Sequence, residues 1–350
     1  IKRNGIYDQA LSILKDAGVQ VFELSGVEPN PRITSVRRGV ELCREHGLTA
    51  VLAVGGGSVI DSAKAIAMGA ATGRDPWEFA STGTRPDKTL PVATVLTLAA
   101  SGSETSNSCV LTNEETKEKR GITSETNRPV ISFLNPENTF TVSKFQTGCG
   151  IVDIMMHTLE RYLTPEGGES DLTDRIAEGL LIATRDAGRR AIADPRDYEA
   201  RATLMWAGSV SHNDYTGCGR KRLFPVHKLE HELSAFRDEI AHGAGLSVLF
   251  PAWAEHEMQY DYPRFAQFAN RVLGVEMDFE HPERTAREGI RTLRRFFEEI
   301  GMPTHLSQLS IKPENYEKLA ANTVRTVNGP VKSYSPLDEK AIIEIYRLAE

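Results

Sequence analysis

Cysteine is scarce in this chain: there are four in 350 residues (Cys43, Cys109, Cys149 and Cys218), with no C-x-x-C and no paired spacing. A disulfide framework is therefore excluded, and reduced thiols in a cytoplasmic protein are the expected state. Long apolar runs are missing as well. None approaches the roughly 20 residues of a bilayer span, and no secretory signal pattern is evident, so no membrane partner is expected. Positive charge is in deficit, with 41 Lys and Arg against 48 Asp and Glu and a formal net charge of −7. That balance, with a pI near 5.8, argues against nucleic acid or another polyanion as the main partner. The one basic cluster, Arg220-Lys221-Arg222, reads as a solvated surface turn. Internal repeats and low-complexity stretches are absent, and so are the two commonest phosphate-binding signatures, a GK[ST] loop and a spaced G-x-G-x-x-G.

What is present divides the chain in two. The length and a hydrophobic content of 40% suit two domains with ordinary cores. Up to about residue 140, strand and helix patterns alternate. Val19–Leu24, Thr49–Val54, Pro91–Leu96 and Val130–Leu134 read as strands; Arg32–His46 and Ser58–Met68 read as helices. Such alternation implies crossover connections and a parallel sheet. Val110–Asn113 and Lys119–Ile122 suit a hairpin beside it. Beyond Thr141 the β-branched runs stop, and Lys144–Leu163, Asp171–Ala193, Tyr198–Asn213 and Glu283–Ile300 carry helical periodicity. The expected architecture is an α/β, Rossmann-like dinucleotide-binding domain over 1–143 and an all-α domain over 144–350.

Gly55-Gly56-Gly57-Ser58 sits between a strand and a helix. Three residues without Cβ let backbone approach a ligand, and a helix start offers N–H groups and a positive dipole end to a pyrophosphate. The plainer alternative is a tight turn whose Ser58 and Asp61 form an S-x-x-D cap. A second small-residue turn, Ala99–Glu104, follows the strand that ends near Thr97. Two such turns at the carboxyl ends of parallel strands favour a dinucleotide.

The second half places Asp153 and His157 four residues apart, His227 and His231 likewise, and then His242. Each spaced pair shares one helix face. Three imidazoles and a carboxylate that converge suit a divalent transition metal, with no thiolate among them; histidines on helix surfaces that never meet are the alternative. Met155 and Met156 read as helix core.

Taken together, GGGSVIDSAKAIA (55–67), SGSETSNS (101–108), DIMMHTLERY (153–162), and HKLEHELS with AHGAGL (227–246) resemble the iron-containing, group III alcohol dehydrogenases, nearest the butanol dehydrogenase branch. The resemblance covers essentially the whole chain. It implies a metal-dependent alcohol dehydrogenase or aldehyde reductase with its active site in the cleft between two domains. Asp153, His157, His227 and His242 become the metal ligands and His231 a proton-relay residue beside the substrate. Gly56, Gly57 and Ser58 hold the pyrophosphate with Asp61 nearby, while Thr97, Leu98, Ser101, Val110, Lys119 and Leu134 line the nicotinamide and ribose. It also implies NAD or NADP as cofactor, Fe²⁺ with Zn²⁺ as the alternative, medium-chain primary aliphatic alcohols and aldehydes as substrates, and a homodimer or larger assembly. The family's turn that carries much of the choice between NAD and NADP would precede Ile1.

Two departures bear on the metal set. The interval from His227 to His242 is one residue longer than the family's, and one residue inserted inside a helix rotates every later side chain by about 100°. Arg220–Pro225 also lacks the family's small and aromatic character. Rival readings remain: another dehydroquinate synthase-like or glycerol dehydrogenase-like enzyme, a non-catalytic descendant, or a zinc peptidase. For the last, His227-Lys-Leu-Glu230-His231 fits H-x-x-E-H, with Glu230 as the base.

Overall fold

A computed structural model describes residues 1–165 and 170–350, which fall into two units, Ile1–Val142 and Ser143–Glu350.

The first unit is built on short β-branched runs with no polar stripe. Strands β1 (Val51–Gly55), β2 (Val92–Leu96) and β5 (Ile131–Phe133) form a parallel sheet in the order β1-β2-β5. Register pairs Gly55 with Leu96 and Val95 with Phe133, so all three strands end at one edge. Strands β3 (Ser108–Asn113) and β4 (Glu118–Thr123) make the expected antiparallel hairpin. Helices α1 (Ile6–Asp16), α2 (Ile33–Glu45), α3 (Gly57–Thr72) and α4 (Pro76–Thr82) complete the unit. From Ile60 to Gly69 almost every residue of α3 is buried, as an all-round apolar sequence requires. Ile33, Val36, Ile66, Met68, Phe79, Leu111 and Ile122 form the core between α2, α3, α4 and the hairpin.

Two expectations fail here. Val19–Leu24 forms no strand, and Val19 and Val21 are 47% and 39% exposed. Alternation only shows that a segment could lie on a pleated surface, whereas a strand also needs a paired neighbour. The Ser58/Asp61 cap is not made either. The N-cap of α3 is Gly56, which has no side chain, so Ser58 falls inside the first turn, and both carboxylate oxygens of Asp61 are engaged elsewhere.

The second unit is helical: α5 (Lys144–Tyr162), α6 (Asp171–Ala193), α7 (Tyr198–His212), α8 (Pro225–Phe236), α9 (His242–Glu257), α10 (Tyr262–Leu273), α11 (Pro282–Glu299), α12 (Tyr316–Thr326) and α13 (Glu339–Leu348). Ser143, Ser170 and Asp197 cap α5, α6 and α7 by accepting first-turn N–H bonds. Helix α5 is buried on every side from Thr147 to Tyr162 and packs against α6, α7 and α9. Met155 and Met156 are wholly buried in it. Arg220 is no solvated turn residue. Its guanidinium lies 2.6 Å from Asp174 with both side chains 7% exposed, because packing sets the loop before α8 against α6.

Candidate metal centre and dinucleotide turn

Asp153 and His157 project from one face of α5, His227 stands in the first turn of α8, and His242 opens α9. The extra residue between the last two is accommodated outside both helices: α8 ends at Phe236, Arg237 is its C-cap, and α9 begins five residues later.

Asp153, His157 and His227 converge, and His242 stands beside Asp153. Asp153 Oδ1 lies 3.3 Å from His157 Nδ1, 3.7 Å from His227 Nε2 and 3.9 Å from His242 Nε2. Donors about 2.1 Å from one tetrahedral cation stand roughly 3.4 Å apart, so this spacing is that of a ligand cage. Asp153 Oδ1, His157 Nδ1 and His227 Nε2 are buried and have no hydrogen-bond partner. Each such orphan costs about 1–3 kcal/mol, and a cation in their midst satisfies all three at once. The electrostatics agree. Burial, with His212 and His227 alongside, holds His157 well below the usual imidazole range, which keeps its ring neutral. Burial also opposes charge on His227, yet the carboxylates of Glu160 and Asp153 prevail and push it up to about 9. The carboxylates around His227 thus favour positive charge at this point, which suits a cation as well as a proton.

Behind the cage stands a second layer that spacing did not reveal. Glu160, on α5, accepts from the backbone N–H of Val226 at 2.7 Å and pairs with His227 Nδ1. Glu230, on α8, pairs with His242 Nδ1. Both carboxylates are buried. Each carboxylate takes up Nδ1, and Nε2 of each ring faces Asp153, the arrangement that orients metal-binding histidines. Because Glu230 is committed to His242, the peptidase reading loses its base. His212, at the end of α7, packs on His157 with ring centroids 4.0 Å apart, and its Nδ1 accepts from Arg161 at 3.3 Å. Phe224, in a left-handed conformation at φ 50°, sets its ring edge-on to His227. His231, one turn after His227 and partly buried, has its ring centroid 5.7 Å from that of His242.

In the first unit the glycine turn and two further segments share the carboxyl edge of the sheet. Gly56, Gly57 and Ser58 follow β1, Thr97 and Leu98 follow β2, and Leu134 follows β5, the edge where ligands bind in open α/β sheets. A Cβ on Gly57 would lie 2.3 Å from Ser101 Oγ, so the two turns are packed side by side there. Val110 N–H donates to Asp61 Oδ2 at 2.9 Å, and Ser103 Oγ donates to Asp61 Oδ1 at 2.5 Å. Asp61 thus braces the second turn rather than facing outward. Lys119 lies on β4 and donates to Asn30 at 3.1 Å.

Residues 1–136 match the family described as iron-containing alcohol dehydrogenase, and residues 147–349 match the C-terminal domain of the Fe-containing alcohol dehydrogenase family. The chain is 42% identical over 348 residues to NADH-dependent butanol dehydrogenase A of Clostridium acetobutylicum, covering 99% of this chain and 89% of that one. It is 35% identical over 314 residues to the NADPH-dependent aldehyde reductase YqhD of Escherichia coli, covering 89% of this chain and 80% of that one. Among solved structures, NADH-dependent butanol dehydrogenase A from Thermotoga maritima superposes with a TM-score of 0.95 at 36% identity, over 100% of this chain and 88% of that one.

Proposed function

The chain belongs to the iron-containing alcohol dehydrogenase family, and we propose that it interconverts primary aliphatic alcohols and aldehydes with NAD or NADP as hydride carrier. The observation that carries this reading is the set of buried, unpartnered donor atoms on Asp153, His157 and His227, with His242 Nε2 beside them. Three imidazoles and one carboxylate accept Fe²⁺ or Zn²⁺ alike; the family is an iron family, and iron is the assignment.

When bound, the cation supplies a Lewis acid and the dinucleotide a hydride donor or acceptor. The protein's own residues do the rest. Asp153 contributes the one negative charge among the four ligands and so leaves the centre electrophilic. Glu160 and Glu230 keep His227 and His242 in the tautomer that binds. His231, one turn from His227, hands the alcohol proton on through its imidazole. Gly56, Gly57 and Ser58 receive the pyrophosphate, with Thr97, Leu98, Ser101, Val110, Lys119 and Leu134 along the rest of the dinucleotide. The four free thiols fit a cytoplasmic enzyme, and the family reading makes it a homodimer, which sedimentation would check. Among the described residues no helix is long and apolar enough to cross a membrane.

The decisive test is aldehyde reduction with NADH and with NADPH on protein whose metal has been counted and then stripped. Activity should vanish on stripping and return with ferrous iron; turnover that survives complete chelation overturns the reading. His231→Ala should retain the metal while slowing turnover by about 10²- to 10⁴-fold. Loss of bound metal in that variant would make His231 a ligand instead.

A further inference from the structure

Lys64 has no solvent exposure, although it carries a charge and nothing in the proposed chemistry uses it. It follows Gly57 and Asp61 at helical spacing on α3, so the three share one face. That face meets the turn from Ser101 to Val110. Gly57 admits Ser101 and Asp61 accepts from Ser103 and Val110. Lys64 Nζ donates to the Ser103 carbonyl at 2.6 Å, Ser103 Oγ at 2.9 Å, the Ser106 carbonyl at 3.0 Å and the Ser108 carbonyl at 2.8 Å. Four oxygens around one nitrogen leave no direction for an amine lone pair, so the group present is the ammonium. Burial depresses its pKa, and the Asp61 carboxylate counters that.

The turn needs this support. Its sequence, Ser101-Gly-Ser-Glu-Thr-Ser-Asn107, lies outside the ladders, and β3 starts only at Ser108. A run so rich in small residues has many unfolded conformations to lose, and a backbone carbonyl buried without a partner is costly. Lys64 settles three such carbonyls with one side chain.

We propose that Lys64 is a positioning residue for the dinucleotide: it fixes the Ser101–Val110 turn against the glycine turn at the carboxyl edge of the sheet, and so sets cofactor affinity without touching the cofactor. This rests on the dinucleotide reading of that edge.

The test uses the whole chain loaded with metal. Lys64→Met keeps length and removes the charge, and Ser103→Ala keeps the ammonium while removing one acceptor and one donor to Asp61. Lys64→Met should raise the Kd and KM for NADH or NADPH by about ten- to a hundredfold. Ser103→Ala should raise them several-fold. Aldehyde KM, metal content and kcat at saturating dinucleotide should stay within about twofold of the parent in both variants. Unchanged dinucleotide binding in both folded variants overturns the proposal, and so does a parallel loss of metal and dinucleotide, since that marks general unfolding. If Lys64→Met does not fold, Ser103→Ala decides alone. A parent protein that binds neither dinucleotide would instead sink the functional reading.

Discussion

Asp153→Asn is expected to empty the metal centre. Apparent binding energies of about 10–16 kcal/mol for a four-ligand site leave about 2.5–4 kcal/mol per ligand, so affinity should fall about 70-fold to a thousandfold. Asparagine keeps the shape of the side chain, but it removes the carboxylate whose Oδ1 lies within 3.9 Å of all three imidazole nitrogens. Metal counted after dialysis should be near zero and aldehyde reduction should be lost with it. Dinucleotide binding should persist, because Gly56, Gly57 and Ser58 belong to the other unit. A full complement of metal in Asp153→Asn would remove Asp153 from the ligand set.

Gly243→Ala should be nearly as damaging, by a different route. A Cβ at Gly243 would lie 2.2 Å from the carbonyl oxygen of Cys149 and 2.6 Å from its Cα. These are backbone atoms of α5, one turn before Asp153, and they cannot swing aside as the end of a side chain can. The contact brings the first turn of α9, and with it His242, against α5. Forcing the helices apart should cost about 1–3 kcal/mol, lower Tm by roughly 5 °C and weaken metal binding in the same variant. Gly179→Ala is the matched control. It lies inside α6 with nothing within 4 Å of its Cβ position, and it should be neutral or slightly stabilising. A Gly243→Ala protein with native melting and full metal would refute this account of how His242 is seated.

The second layer lends itself to a smaller, selective test. Glu160→Gln and Glu230→Gln should each weaken metal binding by about 10- to 100-fold, because each loosens the tautomer and ring direction of one ligand. Unchanged metal affinity in both would show that the carboxylates only fill buried space.

Helical spacing made part of this site legible. Asp153 and His157 share a face because they are four residues apart on one helix, and a glycine triplet between a strand and a helix is visible as a string of letters. The alternation of strand and helix up to Phe133, and its end at α5, could be read the same way. The second layer could not. Glu160 and Glu230 each follow a histidine by three residues, yet neither serves the histidine on its own turn: Glu160 reaches from α5 to α8, and Glu230 from α8 to α9. Periodicity reports neighbours along a helix, whereas these pairs are neighbours only because the helices pack. His212, Phe224 and the buried Arg220 were hidden for the same reason.

By itself, then, the sequence determined the two kinds of unit, the residue types able to hold a cation and a dinucleotide, and the family pattern that unites them, since local periodicity and short-range motifs encode all three. Only the tertiary structure decided that His242 reaches Asp153 despite the longer interval before it, that Asp61 braces a turn instead of facing a ligand, and that Val19–Leu24 stays unpaired. Each of those outcomes depends on which distant surface a side chain or backbone edge meets, and a linear pattern carries no record of that.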